Sequence, residues 1–132
     1  MAELFSQSWM KDYMKMWNSD ADLTNALAKL NFTSVIAYGL QNEKSPRGFI
    51  RIENGEVSDA DVFSDQEVNW DLRASTESWD KWMDKAPGMI SLGAAYSMRK
   101  LKFPKGDYSA MIKNPKMAGP FIKTFNVMGK VQ

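Results

Sequence analysis

Two alternating segments that meet at Asn54-Gly55 constrain this chain more than any other feature. Phe49 to Glu53 carries Ile50 and Ile52 on one face, and Glu56 to Phe63 returns as its partner. Asn-Gly sets two residues tolerant of positive φ side by side, which a type I′ turn requires. A hairpin is therefore expected near the middle of the chain, and a lone hairpin needs further strands or helices to cover it. Before it, Ser34 to Leu40 is apolar on both faces, as in a buried strand. Lys44-Ser45-Pro46-Arg47-Gly48 is a turn cluster between the two. After the hairpin, Val68, Trp70, Leu72 and Ala74 alternate with Asn69, Asp71 and Arg73, the pattern of a half-buried strand. These segments predict a mainly antiparallel meander.

Helical spacing flanks the meander. Phe5, Trp9, Tyr13, Met16 and Trp17 share one face of a helix over 4–18. Ser19-Asp20-Ala21-Asp22 breaks it and caps a second helix, whose stripe is Leu23, Leu27 and Leu30. Ser75 caps a third, with Trp79, Trp82 and Met83 on one face, ended by Pro87-Gly88. Met89 to Met98 is apolar almost all round, which predicts a helix buried on more than one side. Leu101 to Phe103 reads as a short last strand, and Gly106-Asp107 opens a short helix with Tyr108, Met111 and Ile112. Met117, Phe121, Phe125 and Met128 stripe a final helix, expected to start near Gly119 because Asn114-Pro115 and Gly119-Pro120 both interrupt it. The fold class is α+β, with five strands, mainly antiparallel, and flanking helices. Residues 1–132 read as one domain, with residues 1–18 its N-terminal helical segment.

The absences exclude several chemistries. The chain has no Cys and no His. Disulfides, thiolate catalysis and Ser-His-Asp triads are thereby removed, together with the commonest metal ligands. No cofactor is expected. No apolar run approaches a membrane span, and Met1 to Phe5 has no basic start or long apolar run of a secretory signal, so the cytoplasm is the expected compartment. Net charge is +1, yet residues 99–132 hold eight basic side chains against one acid, Asp107. Such a split suggests a cationic face that meets something anionic.

Six of the ten Met residues lie beyond residue 82: Met83, Met89, Met98, Met111, Met117 and Met128. Thioethers fit irregular apolar shapes, so this set suits a pliable ligand cavity as well as an ordinary core. Trp70, Trp79 and Trp82 sit at core-facing periodic positions, which argues against base or sugar stacking. Phe121 and Phe125 belong to an apolar stripe, so the basic tail does not read as a nucleic-acid surface. Asp59 and Asp61 share a strand face with no evident partner.

Several segments carry a resemblance to a known family. They are Phe32 to Leu40, Phe49-Ile50-Arg51-Ile52-Glu53-Asn54-Gly55-Glu56-Val57, Asp71-Leu72-Arg73-Ala74-Ser75 leading into the Trp79 helix, and Met98-Arg99-Lys100-Leu101-Lys102-Phe103-Pro104-Lys105-Gly106-Asp107. In these segments and in element order, residues 20–128 resemble the sterol carrier protein-2 (SCP2) family of lipid-transfer domains. The family often has Gly after the residue matching Met98, where Arg99 stands here, and Asp80 to Gly88 lacks its usual Gly-Lys signature. The resemblance implies a five-stranded twisted sheet covered by helices, with an apolar tunnel between sheet and helices. It also implies non-catalytic binding of a fatty acid, acyl-CoA ester, sterol or similar molecule. The lining residues would be Trp79, Trp82, Met83, Met89, Leu92, Tyr96, Met111, Met117, Phe121, Phe125 and Met128. Lys102, Lys105 and Lys123 would meet a head group, a CoA phosphate or an anionic membrane surface. The family's free-standing domains are cytoplasmic or peroxisomal, and a bacterial accessory protein is expected here.

Two rivals remain open. One is a His-free hydrolase or isomerase using Tyr96, Tyr108 or Asp107. The other is an interaction module that presents the N-terminal Trp/Tyr/Met helix to a partner enzyme.

Overall fold

The computed structural model describes residues 3–131, so Met1, Ala2 and Gln132 lie outside it. The helices are α1 (Gln7–Ser19), α2 (Ala21–Lys29), α3 (Thr76–Asp84), α4 (Met89–Ser97), α5 (Tyr108–Ile112) and α6 (Pro115–Met128). The strands are β1 (Ser34–Leu40), β2 (Gly48–Glu53), β3 (Glu56–Val62), β4 (Trp70–Ala74) and β5 (Leu101–Lys105). The strands form one sheet in the order β3-β2-β1-β4-β5.

Asn54 and Gly55 both have positive φ, 50° and 90°, as the hairpin turn demands. Gly55 is fixed by contact as well as by its dihedral. A Cβ there would lie 2.6 Å from the Thr24 carbonyl oxygen and 2.7 Å from the Ala28 nitrogen on α2. Trp17 Nε1–H donates to the Gly55 carbonyl at 2.9 Å, and Asn18 exchanges two hydrogen bonds with the Val57 backbone. Gly55→Ala should therefore cost about 2 kcal/mol or more, from left-handed strain plus displacement of α2. A urea melt with unchanged slope and a lower midpoint is the expected result.

The meander holds for β3-β2-β1, but β4 pairs with β1 in parallel, so the sheet is mixed. The chain leaves the β3 edge and re-enters beside β1, where Asn69 locks the start. The Asn69 Oδ1 accepts the Val35 N–H at 2.9 Å, and the Asn69 N–H donates to the Val35 carbonyl at 2.9 Å. β4 is also buried on both faces rather than half-buried. Asp71 and Arg73, on the face expected to meet solvent, are 8% and 6% exposed. They survive burial because the Arg73 guanidinium grips both Asp71 oxygens, at 2.6 and 3.0 Å, and donates to the Leu40 and Glu43 carbonyls.

Side chains of Ile36, Tyr38, Ile50, Ile52 and Leu72 meet α1, α2, α3 and α6 in one core. The opposite face carries a smaller cluster of Ala37, Phe49 and Val68. α1 starts at Gln7 because Ser6 Oγ accepts the Trp9 N–H; Phe5 precedes the helix with φ 62° yet is buried. Its aromatic face is spent on the sheet: Trp9, Tyr13 and Trp17 are buried. The Tyr13 and Tyr38 hydroxyls meet at 3.0 Å, and burial pushes both far above their ordinary range, so each stays protonated. Asp59 and Asp61 meet α1 through Lys11 at 3.8 Å and Gln7 at 3.1 Å.

Two helix expectations need correction. α6 starts at Pro115, not near Gly119, because Asn114 caps it and Pro is favoured in the first turn. Pro120 is carried inside the helix. More consequentially, α4 is not buried on several sides. It buries only Leu92 and Ala95, while Ile90 is 89% exposed and the adjoining Met98 65%. Its apolar character all round gives no preferred face, and α4 packs at the sheet's β5 end with just one of its sides covered.

Candidate functional site

Ser75 positions the site. Its hydroxyl accepts the Ser78 N–H at 3.1 Å and so starts α3 directly after β4. One turn later Trp79 enters the core, where Nε1–H donates to the Gly39 carbonyl at 3.0 Å. Trp82 follows one turn along, and Pro87-Gly88 turns the chain into α4. Between α3 and α4 lies an open groove of about 510 Å³. Trp82, Pro87, Ala94, Ala95 and Met98 give it apolar walls, and Lys81, Lys85 and Lys100 stand among its lining residues. A neighbouring depression of about 480 Å³ on the other side of α4 is lined by Tyr96, Leu101, Phe103, Arg99 and Lys102 among others.

Aromatic rings run from the core to that surface. Trp79 meets Trp82 at 5.4 Å and Phe125 at 6.2 Å, and Phe125 meets Phe121 at 5.4 Å. Phe121 reaches Phe103 at 6.1 Å and Tyr108 at 6.3 Å, and Tyr108 stacks on Tyr96 at 4.2 Å. Tyr108 is 4% exposed, and its hydroxyl has no hydrogen-bond partner among the described residues. Burial, with Tyr96 beside it, pushes this phenol above its ordinary range.

The eleven apolar residues singled out from the sequence fall into three places. Trp79, Leu92, Phe125 and Met128 are fully enclosed in the core, and Trp82 and Met111 nearly so. Met83, Met117 and Phe121 are partly buried against it. Met89 and Tyr96 reach solvent, at 47% and 37% exposure. Only Trp82 of this set borders the groove. The three lysines do not converge. Lys102 and Lys105 lie on β5, whereas Lys123 on α6 pairs with Asp20 at 3.6 Å. Lys81, Lys85 and Lys100, the cations that do share one groove, were not singled out from the sequence. The i, i+4 spacing of Lys81 and Lys85 was the available signal. Of the candidate catalytic residues, Asp107 is occupied as a helix cap, accepting the Ala110 N–H at 3.0 Å. Among the described residues no helix is long and apolar enough to cross a membrane, and no group of acidic side chains is arranged to hold a metal ion.

No protein-family model matches the sequence, and no curated protein matches it significantly. Solved structures do match the fold. A crystal structure of sterol carrier protein 2 superposes with a TM-score of 0.78 at 17% identity, covering 98% of this chain and 100% of that one. A conserved hypothetical protein from Thermus thermophilus, described as possibly a sterol carrier protein, gives 0.69 at 16% identity over 98% and 90% of the two chains. A ubiquinone synthesis protein, UbiJ-SCP2, gives 0.57 at 11% identity over 86% and 82%. The mixed five-stranded sheet with its helical cover is thus shared across chains of little sequence likeness, and this chain has the fold of sterol carrier protein 2.

Proposed function

We propose that the protein is a non-catalytic carrier of a lipid-like apolar molecule, such as a fatty acid, acyl-CoA ester, sterol or hydrophobic catabolic intermediate. One observation carries this reading. α4, an apolar helix that buries only Leu92 and Ala95 and stacks Tyr96 on Tyr108, stands over a groove with a Trp82 wall and a lysine rim. A helix with so little buried surface is inexpensive to displace. In this reading, moving it aside gives a guest access to Met83, Met111, Met117 and Phe121, which belong to or pack against the core. Each methylene buried there contributes about 0.8 kcal/mol. Lys81, Lys85 and Lys100 suit a carboxylate or phosphate at the mouth, with Lys102 and Lys105 next along β5. The likeness to sterol carrier protein 2 supports the same reading.

Catalysis by Tyr108 or Asp107 is disfavoured by their setting. The Tyr108 phenol is held protonated by its apolar surroundings, and Asp107 is engaged as a cap. The unpartnered Tyr108 hydroxyl suits a carrier instead, since a guest's oxygen would accept its proton. Tyr108→Phe should then stabilise the empty protein by about 1 kcal/mol, because an unsatisfied buried hydroxyl is removed. The same change should weaken ligand binding about fivefold.

An accessory role within an enzyme complex is the second reading, favoured by the likeness to a ubiquinone synthesis protein. The buried aromatic face of α1 makes that helix an unsuitable docking element, so a partner would have to meet another surface.

The test is titration with a fluorescent C16 fatty acid, read by quenching of Trp emission. Ala94→Trp places a large ring in the groove from an exposed position. The expected result is saturable binding by the unaltered protein and a loss of about tenfold or more in the variant. Equal affinity in both, or no binding by either, contradicts the proposal.

A further inference from the structure

The two edges of the sheet are finished differently. At the β3 edge α1 packs alongside and closes it. The Asn18 side chain accepts the Val57 N–H at 2.8 Å and donates to the Val57 carbonyl at 2.9 Å, as a neighbouring strand would. Gln7 and Lys11 reach Asp61 and Asp59 from the same helix. The β5 edge has no such closure. β5 pairs with β4 alone, and among the described residues its backbone makes no backbone–backbone hydrogen bond outside that ladder. An edge of this kind is a template for a further strand.

Charge says which strand fits. From Lys85 to Gly106 the chain carries Lys85, Arg99, Lys100, Lys102 and Lys105 and not one acid. All five are exposed, and none is in an ion pair among the described residues. In the ladder Lys102 stands opposite Arg73 and Lys105 opposite Asp71. Leu101 is buried and Phe103 packs against the helical core. β5 thus offers cations on one face and apolar groups on the other. Beside Phe103 on that second face lies the depression of about 480 Å³, with Tyr96 on its wall. An incoming strand alternates its side chains with the same period. Acids on one face would meet Lys102 and Lys105, and an aromatic side chain on the other would enter the depression.

Lysines and a proline on an edge also deter pairing, and here the deterrent is selective. A second copy would set the lysines of one β5 against those of the other, and its β3 edge is closed by α1. An acidic strand from a different protein meets neither obstacle. Pro104 takes one N–H from the edge, at the point where the ladder with β4 shifts register.

We propose that the β5 edge docks an extended acidic segment of a partner protein, which joins the sheet as a sixth strand with acidic and apolar side chains in alternation. The proposal goes beyond the carrier reading and needs no bound guest. It gives a partner a surface other than α1.

The test is fluorescence anisotropy of a short labelled peptide, in which Glu alternates with Val and Phe, titrated with the full chain. The expected result is saturable binding that is largely lost at about 1 M salt. Amide hydrogen exchange at residues 101–105 should slow when the peptide is bound. A peptide with Lys in place of every Glu should not bind. Two further versions carry N-methyl groups on one or the other alternate set of backbone nitrogens, and one of them should bind about tenfold or more weakly, because its ladder donors are gone. Lys102→Glu combined with Lys105→Glu should reverse the preference, so that the Lys peptide binds and the Glu peptide does not. A purely structural role for these lysines predicts no such reversal. Three results overturn the proposal: no saturable binding of the Glu peptide, unchanged preference in the double variant, or full binding by both N-methylated peptides. The last of these, joined with partition of the protein onto phosphatidylglycerol vesicles, would make the edge a plain cationic surface and not a strand-pairing site.

Discussion

Replacing Arg73 by methionine is expected to cost about 3–5 kcal/mol of folding stability. The loss has two sources. Asp71, with a side chain only 11% exposed, loses the guanidinium that held both its oxygens. The Leu40 and Glu43 carbonyls lose the donor that fixes the segment after β1, at 3.3 and 2.8 Å. Asp71→Leu combined with Arg73→Met should recover about half of the loss, because the stranded carboxyl group is gone while the two carbonyls remain unsatisfied. Urea denaturation of the single and double variants measures this directly. A double variant no better than Arg73→Met would mean that the carbonyl bonds, and not the buried carboxylate, govern the site.

A comparable loss, about 3–5 kcal/mol, is expected for Trp79→Ala. Trp79 is fully buried and ties Phe5, ahead of α1, and Phe125 of α6 to Tyr38 of the sheet. Its ring lies 5.2 Å from Phe5, 6.2 Å from Tyr38 and 5.4 Å from Trp82. Its Nε1–H also satisfies the Gly39 carbonyl, which truncation leaves without that donor. Against a total stability of about 5–15 kcal/mol, such a loss leaves a domain of this size partly unfolded at modest denaturant. Trp79→Phe keeps an aromatic ring in place but not the hydrogen bond, so its expected loss is about 1–3 kcal/mol. Thermal melts of the two variants should separate the packing contribution from the hydrogen bond.

Much of the architecture is written in local signals. The Asn54-Gly55 turn, the Asp20 and Ser75 caps and the Asp107 cap each act within a few residues, and each appears where its chemistry predicts. The parallel pairing of β1 with β4 is different. It depends on where the chain re-enters the sheet after Val62, and side-chain alternation carries no record of strand direction. Arg73 was equally hidden, because an Asp-x-Arg alternation looks the same whether the face is wet or holds a buried ion pair. α4 misled for a related reason. Apolar residues on every side read as deep burial, yet the helix lies at the β5 end with one side covered.

The candidate site was legible only in outline. Periodicity found side chains that point inward, and most of them fill the core: Trp79, Phe125 and Met128 pack together with no sign that they differ from filler. The groove is assembled from α3, the Pro87-Gly88 turn, α4 and the start of β5, so its three lysines are scattered over twenty residues of sequence. Lys123 showed the converse: it belongs to the same basic segment as Lys102 and Lys105 but pairs with Asp20 at the start of α2.

Native mass spectrometry of freshly purified, undenatured protein tests the carrier reading most directly. The account predicts a population heavier than the bare chain by the mass of a lipid-like molecule, released on collisional heating and restored by adding a C16 fatty acid. A single species at the bare mass that stays unshifted when the fatty acid is added in excess would contradict it.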